Sequence, residues 1–213
     1  MNIRTSIAAL ATVGGIALAS AASAATINPV SISADCAGGS TALSSGTVTC
    51  GSADRSELSS IEFTDDLSPG NVGNGSFFSL GVNGSLVAEF DPGFSGPEAR
   101  IIEVTFVGSP QREAAEVFGS NDGVNFTSLG VVTNQTTPGS SQNPNQVSFT
   151  GNYRFLGLKD VSATFFGLPL NSGDGYDIDA IAVTVAPVPL PAAGLMLLGG
   201  LAGLGALRAR RKA

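Results

Sequence analysis

Three aspartates near the C-terminal end have the residue type and spacing of a cation site. Asp174, Asp177 and Asp179 lie next to Gly173 and Gly175. Asp177 and Asp179 are two positions apart, so on a β-strand their side chains share one face. Carboxylates that converge with loop carbonyls are the oxygen ligands Ca²⁺ takes in proteins. The spacing predicts a calcium site, with the alternatives of a solvated acidic strand start or of side chains that bond the backbone of a turn. No other cofactor is predicted.

The cysteines offer a second kind of chemistry. Cys36 and Cys50 are the two cysteines of the sequence, and an even number in an oxidising compartment favours a disulfide. The bond would close a Gly/Ser/Thr-rich loop of about 15 residues and contribute about 3 kcal/mol in the chain-entropy model. Two free, buried thiols are the alternative.

The composition lacks residue types on which many enzymes depend. The 213 residues include no His and no Trp. The missing His removes the commonest general base, the Ser–His and Cys–His nucleophile pairs and most zinc sites. Hydrolysis by carboxylates alone stays chemically open, but no spacing among the seventeen acidic residues selects a pair, Glu103 with Glu116 included. We therefore predict that the chain is not an enzyme.

Residues 25–186 must supply the framework that positions these side chains, and their pattern predicts an all-β domain. Short alternating segments are separated by Gly, Ser, Thr, Asn and Pro, which is typical of a β-sandwich or jelly roll of about seven or eight strands. Asn83-Gly84 predicts a hairpin between the strands at 77–82 and 85–90. A turn is predicted at 120–123, with Asp122 as a turn residue, and a polar loop at 133–146. The other predicted strands are 100–107, 115–118, 125–132, 153–158 and 176–185.

The same 162-residue segment is strongly acidic. It holds all seventeen acidic residues and five of the ten basic ones, a formal charge of −12. Such a surface repels phosphate backbones, so nucleic-acid binding is not expected.

The first 24 residues have the layout of a secretory leader. Arg4 precedes an apolar segment at 7–19 that is short for a membrane span, and Ala22, Ser23 and Ala24 fit the small-residue cleavage rule. The pattern predicts a signal peptide, with the mature chain beginning at Ala25. A buried apolar helix is the alternative.

The last 27 residues, 187–213, predict a membrane segment. Residues 190–207 are all apolar, Gly or Pro, and as a helix they would extend about 27 Å, near the hydrocarbon thickness of a bilayer. The basic tail at 208–213 would stay in the cytoplasm and place the acidic domain outside. Its cations are Arg208, Arg210, Arg211 and Lys212.

This three-part tail resembles a known sorting signal. The residues Val188, Pro189, Leu190, Pro191 and Ala192, the Gly/Leu-rich span and the basic terminus resemble the PEP-CTERM signals of Gram-negative bacteria, in particular the VPLPA subtype. The resemblance implies recognition by an exosortase, through an intermediate in the inner membrane. Delivery to the cell surface or to an extracellular polysaccharide matrix would follow. A plain C-terminal anchor is the alternative.

A second resemblance covers residues 115–185. The order AEVFGSNDGVNFTSLG, YRFLGLKDVS and GDGYDIDAIAV is similar to the discoidin-like (galactose-binding-like) jelly rolls. Together the two resemblances imply a surface or matrix protein whose β-sandwich binds or packs against exopolysaccharide. A structural or adhesive envelope protein that acts through protein contacts is one alternative, and a secreted carboxylate-dependent hydrolase is another.

Overall fold

The computed structural model describes residues 27–36, 39–44, 46–50, 57–68, 73–105, 112–134, 142–169, 175–186, 199–202 and 208. The predicted signal peptide with Ala22, Ala24 and Ala25, the sorting motif at 188–192, and Arg210, Arg211 and Lys212 lie outside these residues. Arg208 is described and exposed. Among the described residues, no helix has both the length and the apolar character needed to cross a membrane.

The described residues between 27 and 186 contain nine strands and one short α-helix, and residues 199–202 are helical. The prediction of an all-β fold is confirmed for the domain. A 3₁₀ helix at Leu58–Ser60 precedes the second strand. The strands are β1 Ser31–Ala34, β2 Glu62–Thr64, β3 Phe78–Ser79, β4 Ser85–Val104, β5 Ala114–Ser120, β6 Thr127–Thr133, β7 Gln142–Ser148, β8 Asn152–Asp160 and β9 Asp177–Val185, and the helix α1 is Ser162–Phe166.

The long strand β4 belongs to both layers of the sandwich. Its first part pairs with β1 and β8, and β8 continues through β5 to β6. Its second part pairs with β7 and β9, and β9 continues to β2 and β3. The pairing with β8 shifts register between Glu89 and Phe94, where the chain passes from one layer to the other. The two layers are therefore joined by one continuous strand.

The core lies between the two layers. Phe90, Phe94, Leu156, Ile181 and Tyr176 are fully buried there, and the rings of Phe90 and Phe94 meet edge to face with 5.6 Å between their centroids. Alternate residues of β4, β8 and β5 point into this core, as the period of two predicts.

Several predicted elements are confirmed and three are corrected. The segment from β5 through a turn to β6 is confirmed. The hairpin at Asn83-Gly84 is wrong: a turn is present, with the Gly84 N–H bonded to the Gly81 carbonyl, but β3 pairs with β9 and Val82 pairs with Thr49. The strands predicted at 85–90 and 100–107 are one strand, described to Val104, and the loop predicted at 133–146 contains most of β7.

The disulfide prediction is confirmed. Cys36 and Cys50 are bonded, with their Cα atoms 5.1 Å apart. The loop they close packs on the outer face of the layer that contains β8, because the Leu43 side chain fills the space above Gly157. A side chain at Gly81 would meet the Cys36 sulfur, so the disulfide fixes this loop against the turn before β4.

Candidate ligand-binding site

The two ends of the sandwich differ, and the candidate site lies at the end away from the first and last segments of the domain. Val30 bonds to Glu89 and Ala186 bonds to Gly93, so the first and last segments of the domain meet at one end. The starts of β5 and β9, the end of β8 and helix α1 lie at the opposite end. We call this second end the distal end.

Asp160, the last residue of β8, organises the backbone of the distal end. One carboxylate oxygen accepts the N–H of Asn83 at 3.0 Å. The other accepts the Ser162 hydroxyl at 2.5 Å and the Tyr176 N–H at 3.2 Å. Burial raises the pKa of Asp160, and these hydrogen bonds oppose that rise by stabilising its charged form. A single buried side chain thus ties the turn before β4, helix α1 and the start of β9 together.

Hydrogen bonds to β5 also hold helix α1 in place. The Ser162 hydroxyl accepts the N–H of Ala114, and the N–H of Val161 bonds to the Ala114 carbonyl. The helix ends at Gly167, which adopts the left-handed conformation at φ 64°, as helix C-termini commonly do. These bonds hold α1 beside Ala114, the first residue of β5.

A surface cluster of two aromatic rings and one cation results, which we call the aromatic patch: Arg112 and Phe165, which are exposed, and Phe166, which is half-buried. The Phe165 side chain is 52% exposed. Its ring meets that of Phe166 edge to face, with centroids 4.9 Å apart. The Arg112 guanidinium carbon lies 4.4 Å from the centre of the Phe166 ring, within the range of a cation–π contact.

The aromatic patch has the groups that a sugar ring needs. An exposed phenyl face can cover the apolar C–H face of a pyranose, because both surfaces lose contact with water on stacking. A guanidinium presents five N–H donors and no acceptor, which suits sugar hydroxyl or carboxylate oxygens. The three side chains of the patch therefore offer stacking surfaces and hydrogen-bond donors.

Next to the aromatic patch lies a cluster of buried acids. Glu103, Glu113, Asp160 and Asp177 come from β4, the residue before β5, β8 and β9, and each is at most 6% exposed. Burial raises the pKa of Glu113 to about 10, and the carboxyl groups of Asp177, Glu103 and Asp160 add to the rise. Burial also raises the pKa of Tyr176 well above its usual value. Glu113 is therefore neutral at pH 7, which removes one negative charge from the cluster.

The predicted calcium ligands are only partly placed. Asp174 lies outside the described residues, whereas Asp177 and Asp179 are buried at the start of β9. The two oxygens of Asp179 accept the backbone N–H groups of Asn74, at 3.1 Å, and Gly75, at 2.9 Å, which is the turn-holding role given above as an alternative. In the described part of the chain, no group of three or more acidic or cysteine side chains has a metal-binding arrangement. The calcium site stays a prediction, and a thermal melt with Ca²⁺ and with chelator tests it.

Asp122 has its predicted role as a turn residue, in the turn between β5 and β6. Its carboxylate accepts the N–H groups of Val124 and Asn125 and the hydroxyl of Ser120. The side-chain and backbone bonds from Asn125 lower its pKa. This turn lies at the end of the sandwich opposite the aromatic patch, so the two do not form one site.

The three residues of the aromatic patch were not singled out by the sequence, and of the buried acid cluster only Asp177 was, as a calcium ligand. Phe165 and Phe166 follow a polar strand end without alternation, and Arg112 follows a segment with no periodic signal. The adjacent pair Phe165-Phe166 a few residues after Asp160 is the sequence feature that could have indicated the patch. Adjacent residues of a helix point about 100° apart, so both rings are seldom buried in one core.

Comparison with known proteins gives likenesses in overall structure only. No family model and no curated protein matches the sequence. A pectin-binding carbohydrate-binding module is 16% identical, with 77% of this chain and 96% of that one covered and a TM-score of 0.43. A CBM32 module of AlyQ, in complex with 4,5-unsaturated mannuronic acid, is 12% identical, covering 75% and 97%, with a TM-score of 0.45.

A third solved structure is also a carbohydrate-binding module. It is CBM32-1 from a family 31 glycoside hydrolase of Clostridium perfringens, 12% identical, covering 76% of this chain and 98% of that one, with a TM-score of 0.41. At these identities and TM-scores the likenesses carry no inference about what this chain binds.

Proposed function

We propose that this chain is an exported, non-catalytic protein of the cell surface or extracellular matrix whose β-sandwich binds polysaccharide at the aromatic patch. The single observation that carries the proposal is the surface formed by Phe166 with the exposed Phe165 ring and the Arg112 guanidinium against it, on a helix whose first residue, Ser162, is bonded to the buried Asp160. The absence of His from the sequence supports a binding role over a catalytic one.

The route to that location is part of the proposal. The leader at 1–24 directs export, and the tail at 187–213 holds the chain in the inner membrane until an exosortase recognises the motif at 188–192. The acidic charge of residues 25–186 and the disulfide support a location outside the cytoplasm. Exosortase and polysaccharide are the proposed partners.

Polysaccharide affinity gels test the binding proposal. The full-length chain is run through native gels that contain extracellular polysaccharide or purified polymers, and we expect retarded migration that Phe165→Ala weakens about tenfold, because stacking area is lost. Phe165 is half exposed, so its removal should leave the melting temperature nearly unchanged. A variant that had lost its fold would instead show both weaker retardation and a lower melting temperature.

The outcome also separates the proposed function from its main alternative. A chain that is not retarded by any polymer but self-associates as its concentration rises would be a structural or adhesive component that acts through protein contacts. That pair of results would overturn the binding proposal.

A further inference from the structure

Arg112 differs from an ordinary surface arginine in how it is held. Its guanidinium lies against the face of Phe166, at 4.4 Å from the ring centre, and the residue itself is exposed. Stacking uses the flat face of the group and leaves its N–H edge for other partners. The side chain is thus oriented before a ligand arrives, which lowers the entropy lost on binding.

No described carboxylate lies within ion-pair distance of that guanidinium. The adjacent acidic residue, Glu113, is turned away: it is 6% exposed, and its N–H and one carboxyl oxygen face the Asn134 side chain. The charge of Arg112 is therefore not neutralised by the nearest acidic side chain in the sequence.

Arg154 shows the contrasting arrangement and serves as an internal comparison. Its guanidinium also lies near an aromatic ring, 5.8 Å from the centre of Phe155. It is bonded to Glu89, however, at 2.6 Å, and Glu89 also accepts the Ser31 hydroxyl. Arg154 is a cation that is already paired, on a different face of the domain.

We propose that the aromatic patch recognises an acidic polysaccharide, with a carboxylate or sulfate group of the sugar on the N–H edge of Arg112 and the sugar ring against Phe165. An N–H edge with five donors and no acceptor fits an oxyanion better than a hydroxyl, because charge-assisted bonds are the stronger ones. This inference rests on the proposed function and adds the class of ligand to it. The charge of −12 on residues 25–186 disfavours non-specific binding of polyanions by the domain, so retention of an acidic polymer requires a local site.

A matched pair of polymers tests the ligand class. Polygalacturonate and its fully methyl-esterified form share ring and linkage and differ in the carboxylate, and dextran sulfate with dextran gives the same comparison for sulfate. Affinity electrophoresis of the full-length chain should show retention by an acidic polymer at least about tenfold stronger than by its neutral partner, and weaker retention as salt is added.

Substitutions at the two arginines assign the effect to a residue. Arg112→Gln should lose about tenfold or more of the acidic retention and Arg112→Lys an intermediate amount, since lysine keeps the charge without the planar N–H edge. Arg154→Gln, which changes the overall charge equally, should leave retention unchanged.

Two results would overturn this inference in different ways. Equal binding of neutral and acidic polymers, unaffected by Arg112→Gln, would refute the acidic ligand and leave the proposed function standing. Failure to retain any polymer, with the folded state confirmed by an unchanged melting curve, would refute both.

Discussion

Glu113 is a single residue whose surroundings should control how stability depends on pH. Its pKa is raised to about 10 from an ordinary value of 4.5, first by burial. Below pH 4.5 both the folded and the unfolded chain are protonated here, and the stabilising contribution is complete. Between these two values the folded chain keeps a proton that the unfolded chain has lost. The free energy of unfolding should therefore fall as pH rises, by up to about 1.4 kcal/mol per pH unit.

Glu113→Gln should flatten that fall, because glutamine is neutral at every pH. Urea unfolding at pH 5, 7 and 9 measures the slope for both proteins. Glu116→Gln is the matched control, since Glu116 lies on the opposite, outer face of β5 and bonds to Ser128, and the slope should persist in it. An equally steep fall in Glu113→Gln would show that another group is responsible.

The sequence correctly predicted the roles of residues whose partners lie close by in the chain. The disulfide between Cys36 and Cys50 and the turn role of Asp122 depend on neighbours within about fifteen positions. Glu113 and Arg112 depend on β4, β8 and α1, which are distant in sequence, and no local pattern reports such contacts. The sequence therefore did not predict the aromatic patch.

At the scale of elements, Gly175 leads into β9 at a close backbone crossing. Its φ is 83°, and a Cβ at this position would overlap the backbone oxygen of Gly81. Gly46 has a similar φ of 84° with open space around it. Both positions strain an L-residue, but only Gly175 is also blocked by main chain that the Asp160 network holds in place.

Gly175→Ala should therefore cost several kcal/mol, and Gly46→Ala about 1 kcal/mol, from the left-handed conformation alone. Thermal melts of the two variants compare them directly, and the lower melting temperature should belong to Gly175→Ala by roughly 5 °C or more. Equal losses would mean that the turn at Gly81 moves freely.

Two of the three elements predicted wrongly share a cause. Asp91-Pro92-Gly93 and Gly96-Pro97 are turn signals, and β4 does reverse its direction there, because Ser85 pairs with Lys159 and Glu103 pairs with Ile178 at the same distal end. Strand pairing nevertheless continues through the reversal, since Gly93 and Gly96 let β4 approach the carbonyls of Tyr153 and Phe149 closely. The polar segment of β7 forms a strand because β4 offers an edge for pairing. Tertiary pairing overrides local preference in both cases, whereas the strongly alternating segments were placed correctly.

At the scale of the whole molecule, the export proposal predicts a processed N-terminus. Mass spectrometry of the protein recovered from its own cells should find Ala25 as the first residue, and an acidic substitution at Ala24 should block processing because the cleavage rule requires a small side chain. The same substitution at Ala34, which lies within β1, should leave processing intact. Recovery of the chain from the cytosol with Met1 attached would contradict export.

The position of the aromatic patch and of Ala186 at opposite ends of the sandwich has a mechanical consequence. The aromatic patch and the last described residue of the domain, Ala186, lie at opposite ends of the sandwich, so a pull between a bound polymer and the tail would act parallel to β4, β8 and β9. Hydrogen bonds loaded in this direction share the force and break together, unlike bonds that are peeled apart one by one. A domain built this way should resist stretching between a cell and its surroundings better than its thermal stability alone would suggest.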